Sequence, residues 1–220
     1  MAGGLFMGMG SCVLAMDTST ARGEVAVVRG GETLLVAGFE SERSHNAQMF
    51  SPLREALEAA GDDLGLIVVG TGPGSYTGVR IGIAAAQGLA WSRGVPVVGI
   101  SSLLAPVSGS DKASFVMCGD ARRGLFYWAR VVDGAMVGEI ESVPEAEFRA
   151  KRAELSEVPW FSFESKVPGG LEGVELARPS ALSLARLGRK LGEGEKGRLT
   201  AQVLEPVYLS APFVTAKKVS

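Results

Sequence analysis

The sequence predicts an α/β protein built from two similar halves, each with a mixed β-sheet and helices. An apolar, strand-like run ends at an aspartate twice, at Cys12–Met16 before Asp17 and at Ser114–Gly119 before Asp120. Two more strand-like runs follow in each half. They are joined by Gly-Gly in the first half and Asp-Gly in the second, pairs typical of tight hairpins. The repeated order favours a duplicated architecture.

The first half has the predicted order β-β-β-α-β-α-β. Its strands are Cys12–Met16, Glu24–Arg29, Thr33–Phe39, Leu66–Gly70 and Val95–Ile100, and its helices are Asn46–Ala60 and Ser75–Arg93. The first helix places one apolar face every three or four residues, and Gly61 ends it.

The second half repeats the three strands and then alternates helix and strand. The strands are Ser114–Gly119, Gly124–Val132, Ala135–Glu141 and Val158–Phe163, the helices are Pro144–Ala153 and Ser180–Leu191, and Gly192–Gly197 is predicted to be a loop. Such halves are typical of the actin/Hsp70/sugar-kinase (ASKHA) architecture. We expect an N-terminal domain over 1–105, completed by 203–220, and a C-terminal domain over 106–202.

Composition narrows the class of protein. The 220 residues carry 22 Lys plus Arg against 24 Asp plus Glu, a balance that argues against an extended basic surface binding RNA by itself. Cys12 and Cys118 lie in apolar runs, so buried, reduced thiols and a cytoplasmic setting are expected. The apolar residues 1–16 lack the basic residue of an export signal, and no run reaches membrane-spanning length.

A Gly-rich loop joins a buried strand to a helix at Val69–Gly82. Free amides at such a helix start can bind an anion, which makes Gly72 and Gly74 candidate nucleotide ligands. The loop lacks the Gly-Lys-Ser/Thr of a Walker motif. A tight turn with Ser75 or Thr77 as helix cap explains the same residues.

The turn Asp17-Thr18-Ser19-Thr20 follows the first strand, where actin-like ATPases carry an acidic residue. Asp17 and Ser19 are therefore candidate nucleotide ligands, and an actin-like ATPase or phosphotransferase using Asp17 and the Gly72–Gly74 loop is one hypothesis. An Asx turn is the structural alternative. His45, the single histidine, is typical of a helix cap or a surface residue.

The second helix carries small residues every four positions, at Gly78, Gly82, Ala86 and Ala90. Because glycine within a helix costs about 1 kcal/mol relative to alanine, close packing is expected along this strip. The packing partner is either another protein or the sheet of the same domain.

Several blocks resemble the TsaB (YeaZ) family in the same order along the chain. They are Leu14–Thr20, His45-Asn46, Gly72–Gly82, Val95–Leu103, Asp120–Gly124 and Pro206–Leu209. The resemblance is dense over 12–132 and thin over 140–200. It implies a non-catalytic subunit of the bacterial machinery that adds threonylcarbamoyl to the adenosine next to the anticodon of tRNA.

The resemblance also implies what this chain lacks. TsaD, the paralogue that carries the active site, has a metal-binding His-x-x-x-His pair where this chain has Ser102 and Pro106. Neither side chain can replace an imidazole at a transition-metal centre. We therefore expect no metal, no cofactor, no catalytic residue and no peptidase activity.

By the same resemblance, helices of the N-terminal domain bind TsaD, the ATPase TsaE joins the complex, and tRNA is contacted only through the complex. A homodimer through the same face is possible, and no membrane contact is expected. The predicted interface is Gly78, Val79, Arg80, Gly82, Ile83, Ala86, Gln87 and Ala90, with Ala84 beside them. Bulky residues at Gly82 and Ala86 are expected to abolish binding to TsaD without unfolding the chain. Relatives often carry a basic residue where this chain has Ser210.

Overall fold

The computed structural model describes residues 11–40, 45–107 and 112–209, without the side chains of 45–47. The apolar start of the chain, the imidazole of His45 and Ser210 therefore lie outside the described part. Two five-stranded sheets form the framework.

The first sheet follows the predicted order of the first half. Its strands are β1 Cys12–Asp17, β2 Arg22–Arg29, β3 Glu32–Glu40, β4 Leu64–Gly70 and β5 Val97–Ile100, in the spatial order β3-β2-β1-β4-β5. The two hairpin pairs are antiparallel, whereas β4 pairs parallel with both β1 and β5. Every residue of β1 is buried because helices cover both faces of the sheet.

Two helices cover one face of the first sheet. They are α1 His45–Ala60 and α2 Tyr76–Arg93. Met49 and Leu53 of α1 pack with Val79 and Ile83 of α2 in a single core. Ser75 begins α2 as predicted, since its hydroxyl accepts a 3.1 Å hydrogen bond from the Gly78 amide.

The second sheet has the same topology as the first. Its strands are β6 Ser114–Arg122, β7 Leu125–Val132, β8 Ala135–Pro144, β9 Trp160–Ser162 and β10 Val174–Leu176, in the order β8-β7-β6-β9-β10. Helix α3, Glu145–Glu154, buries Phe148 against one face. The matching strand order confirms the predicted duplicated, actin-like α/β fold.

The last two helices differ from the predicted division of the chain. Helix α4, Ala181–Lys190, was expected in the domain over 106–202, but it packs against β1, β2 and β4 of the first sheet. Gly188 explains the close contact, because a Cβ atom there would lie 2.4 Å from Val68. The first sheet needs this helix to cover its second apolar face.

Helix α5, Glu193–Ala201, occupies most of the segment predicted as a loop. The helix contains Gly194 and Gly197 and follows Gly192, which is why the segment resembles a loop in the sequence. Glu near its start and Arg near its end are a charge order that favours helices. Strand β10 has three residues and was not predicted. The segment after α5 returns to the first half as expected, where the Val207 amide donates to the Thr71 carbonyl. Within the described ranges, every helix is too short or too polar to cross a membrane.

Candidate functional site

The turn after β1 encloses the carboxylate of Asp17. Its Oδ1 atom accepts hydrogen bonds from the Ser19 amide at 2.8 Å and the Ser19 hydroxyl at 2.6 Å, and its Oδ2 atom accepts one from the Ser102 hydroxyl at 2.6 Å. All three residues are buried. The predicted Asx turn is therefore present, and Ser102 closes it from the other side.

The environment of Asp17 shifts its ionisation. Complete burial raises the pKa of this carboxyl above its ordinary value, because charge is unfavourable away from water. The hydrogen bonds from Ser102 and Ser19 oppose that shift but do not cancel it. This carboxylate is held inside the protein rather than presented to a ligand.

The Gly-rich loop packs directly onto the Asp17 turn. The Ser75 amide donates to the Ser19 carbonyl at 2.7 Å, and the Thr18 hydroxyl donates to the Gly78 carbonyl at 2.7 Å. A Cβ atom at Gly74 would lie 2.2 Å from the Ser19 carbonyl oxygen, and one at Gly78 would lie 2.2 Å from that of Thr18. The glycines thus permit contact between two backbone segments.

Ser102 joins the same cluster from the segment after β5. Its hydroxyl oxygen accepts a 3.0 Å hydrogen bond from the Gly72 amide, and its own amide donates to the Gly72 carbonyl. The Ser101 hydroxyl donates to that carbonyl as well. The sequence prediction considered Ser102 only as a position that lacks a metal-binding histidine. A small polar residue directly after a buried strand is the feature that could have indicated its structural role.

The four candidate nucleotide ligands do not form one open site. Asp17, Ser19 and Gly72 are buried, and the exposed Gly74 lines the neighbouring cleft. The Gly72 amide is occupied by Ser102. No geometric feature of this cluster favours the hypothesis of an ATPase using Asp17 and the Gly72–Gly74 loop.

The small-residue strip of α2 faces inward. Six of the eight predicted interface residues are buried within the chain, namely Gly78, Val79, Gly82, Ile83, Ala86 and Ala90. A Cβ atom at Gly82 would lie 2.3 Å from the Thr18 hydroxyl oxygen. The structure therefore corrects this part of the predicted residue set, because the strip packs on the chain's own β1 turn and sheet.

Arg80 and Gln87 are the two predicted interface residues that are exposed. The Arg80 guanidinium lies 3.9 Å from the centre of the Tyr76 ring, and its Nε donates to the Tyr208 hydroxyl at 2.9 Å. The two tyrosine rings are 5.4 Å apart. Through these contacts, Arg80 links the last described residues of the chain to the start of α2.

The outward face of α2 carries a different set of residues. Ala84, Gln87, Gly88 and Trp91 are exposed, and the Trp91 ring is 90% exposed. Their spacing places them on neighbouring turns of one helix face. On α1, Phe50 is 61% exposed. Among the residues that the structure describes, neither aromatic side chain belongs to one of the hydrophobic cores.

A cleft of about 1450 Å³ separates the two halves. Its walls are segments that follow β1, β4, β6, β9 and β10, together with Val207–Leu209. The lining includes arginines from both halves. The fold and this cluster together define an actin-like protein whose first acidic turn is enclosed by its own serines.

Comparison with known proteins narrows this class. The family model described as "TsaD: tRNA N6-adenosine threonylcarbamoyltransferase" matches residues 36–184. The tRNA threonylcarbamoyladenosine biosynthesis protein TsaB of Escherichia coli is 35% identical over 160 residues, covering 67% of this chain and 68% of that protein. The protein of the same name from Haemophilus influenzae is 28% identical over 220 residues, covering 90% of this chain and 92% of that protein.

Solved structures agree with the sequence matches. YeaZ from Pseudomonas aeruginosa is similar to this chain with a TM-score of 0.65 and 26% identity, covering 90% of this chain and 99% of that one. The chain belongs to the TsaB (YeaZ) family.

Proposed function

We propose that this chain acts in tRNA threonylcarbamoyladenosine biosynthesis as a non-catalytic cytoplasmic subunit that binds and activates TsaD, together with TsaE. The names of the E. coli and H. influenzae relatives support the pathway, and the matching family model carries the name of the transferase. Two structural features support a non-catalytic role for this chain beside TsaD: the internal bonding of its central cluster and the exposure of one helix face.

Three positions of the central cluster and its surroundings support the absence of catalysis. By the family resemblance, Ser102 corresponds to the first histidine of the TsaD metal pair. Both its hydroxyl and its amide are used in internal hydrogen bonds. Pro106 forms an isolated β-bridge with Pro179. Asp17 is enclosed, and burial raises the pKa of its carboxyl. These three positions support the fold rather than a reacting group.

The exposure of Trp91 on α2 is the observation that supports a binding surface for TsaD. A tryptophan that is 90% exposed on a rigid helix is unusual in a monomer and typical of a protein interface. Ala84 and Gly88 leave a shallow surface beside it, where a partner helix can approach closely. We assign the TsaD contact to this outward face of α2.

Co-purification with TsaD tests the assignment. Gly88→Arg places a long side chain on the outward face, where nothing lies within 4 Å, so the chain stays folded. We expect at least a tenfold loss of TsaD affinity for this variant and for Trp91→Ala. Gly197→Arg is the matched control, because Gly197 is an equally open helical glycine on α5. Wild-type binding by Gly88→Arg would contradict the proposed surface.

A reconstituted tRNA modification assay tests the role itself. Purified chain, TsaD and TsaE are mixed with tRNA and the threonylcarbamoyl donor, and each protein is omitted in turn. We expect modification to stop without this chain and the isolated chain to turn nothing over. Modification that persists in its absence would reject the proposal. Size-exclusion chromatography of Trp91→Ala also shows whether a homodimer uses the same face.

A further inference from the structure

The cleft between the two halves lies where ligands commonly bind to α/β proteins, outside the carboxyl ends of parallel strands. Its volume of about 1450 Å³ exceeds the roughly 300–1,000 Å³ of a typical small-molecule pocket. The cleft therefore has room for a ligand longer than one small molecule.

Positive charge is concentrated in this cleft. Four arginines line it against one aspartate and one glutamate: Arg22, Arg122, Arg123, Arg178, Asp120 and Glu164. Arg22 forms an exposed ion pair with Glu40 and Arg122 one with Asp120, so the excess of positive charge comes mainly from the second half. The whole chain has a net charge of −2, so the local sign is opposite to the overall one. Because positive charges outnumber negative ones along its walls, the cleft attracts anions. The balanced composition had suggested no RNA contact by this chain alone, and it conceals this local excess.

The turn between β6 and β7 holds two of the arginines in an uncommon backbone conformation. Arg122 and Arg123 have φ angles of 72° and 58°, in the left-handed region that favours glycine. The Asp120 carboxylate accepts a 2.7 Å hydrogen bond from the Arg122 amide and fixes the turn. Such conformations cluster at ligand sites, where the side chain matters more than local stability.

Tyrosines supply the second component of the cleft. Tyr76 and Tyr208 line its first-half wall, and both rings are about half exposed. The Arg80 contacts hold them in place. Aromatic rings beside a groove of guanidinium groups are the combination that binds single-stranded nucleic acid, through stacked bases and paired phosphates.

We propose that the cleft binds a single-stranded RNA segment, with phosphates contacting Arg122, Arg123 and Arg178 and bases stacking on Tyr76 and Tyr208. A free nucleotide offers the same chemistry. The RNA segment fits better because the cleft volume of about 1450 Å³ exceeds that of a typical small-molecule pocket, and because Asp17 is buried with its carboxylate oxygens bonded to Ser19 and Ser102. The proposal is independent of the α2 surface, since the isolated chain carries every residue involved.

Fluorescence anisotropy with the purified full chain and a labelled oligo(U) RNA of about eight nucleotides tests it. Three phosphate contacts predict that log Kd rises with log salt with a slope of about 2 between about 50 and 200 mM KCl. Removing one contact should lower this slope by about 0.7 and weaken binding about fivefold at 0.1 M salt.

Arg123→Asn and Arg178→Gln are the test variants. Asn-Gly suits two consecutive left-handed residues better than Arg-Gly, so Arg123→Asn keeps the fold while removing the charge. Arg189→Gln on α4 is the control, an exposed arginine outside the cleft whose loss should leave Kd unchanged. An equal loss in the control, or no salt-dependent RNA binding by wild type, would overturn the proposal.

Two further measurements separate stacking from charge and RNA from free nucleotide. Tyr208→Leu should weaken binding without changing the salt slope, whereas Tyr208→Phe should retain the affinity; an unchanged Kd for Tyr208→Leu contradicts the stacking role. ATP without magnesium should displace the RNA only at a large excess. Displacement by ATP at concentrations similar to that of the RNA would overturn the RNA assignment in favour of a nucleotide site.

Discussion

The hydroxyl of Ser102 donates a 2.6 Å hydrogen bond to Oδ2 of Asp17, across 85 positions of sequence. The same oxygen accepts the Gly72 amide at 3.0 Å. One side chain therefore satisfies a buried carboxylate and a buried amide from two other segments.

Ser102→Ala should destabilise the fold strongly, because it leaves Oδ2 of Asp17 and the Gly72 amide without their partner in the interior. Each unsatisfied buried polar group costs about 1–3 kcal/mol, so we expect a loss of about 2–6 kcal/mol in the free energy of unfolding measured with urea. Ser92→Ala, at an exposed serine of α2, should change stability by less than about 0.5 kcal/mol. Equal stability of the two variants would contradict this role of Ser102.

Asp17 should make stability depend on pH. Burial raises its pKa in the folded state, so the folded protein holds this proton more tightly than the unfolded chain does. The resulting stabilisation is complete below the unfolded pKa, near 3.8, and is lost as pH rises through the raised folded value. Urea unfolding of wild type and Asp17→Asn across acidic to neutral pH measures it. Parallel stability curves would show that Asp17 contributes no such dependence.

Two glycines of α2 should respond to alanine in opposite ways. Gly82→Ala forces a methyl group against the Thr18 hydroxyl and should cost about 1–3 kcal/mol. Gly88→Ala enters open space on a helix and should stabilise by about 0.5–1 kcal/mol. Thermal unfolding should therefore show melting temperatures shifted in opposite directions. Shifts of the same sign would contradict the inward packing of the strip.

The cysteines should be inert in the folded protein. Cys12 is fully buried, and burial raises the pKa of the Cys118 thiol to about 12, so little thiolate exists at neutral pH. Ellman's reagent should modify neither thiol under native conditions and both in urea. Rapid native modification of Cys118, identified by mass spectrometry, would contradict this prediction.

The sequence predicted the regular elements best where periodicity and turn chemistry agreed. Asp133-Gly134 forms the expected hairpin turn, with positive φ at both residues, and Ser75 caps α2 as proposed. Strand β10 escaped notice because three residues show no period. Helix α5 was not predicted because a segment with glycines at 192, 194 and 197 is typical of a loop.

The site was harder to predict because its residues are joined by long-range contacts. The spacing of Gly78 and Gly82 correctly indicated close packing, but not whether the neighbour is the chain itself or another protein. Thr18 decides that question, and it lies about sixty positions away. Of the outward face, the sequence prediction included Ala84 and Gln87 but not Gly88 and Trp91, because only three-dimensional packing distinguishes the two sides of the helix.

The packing of α4 on the first sheet has a consequence for how the molecule is made. Until α4 leaves the ribosome, the apolar face of β1, β2 and β4 lacks this helix, although those strands are synthesised before the whole second sheet. The Val207 amide completes the same half later still. The half that begins the chain is therefore the last to finish folding, after the second sheet has formed within its own continuous segment.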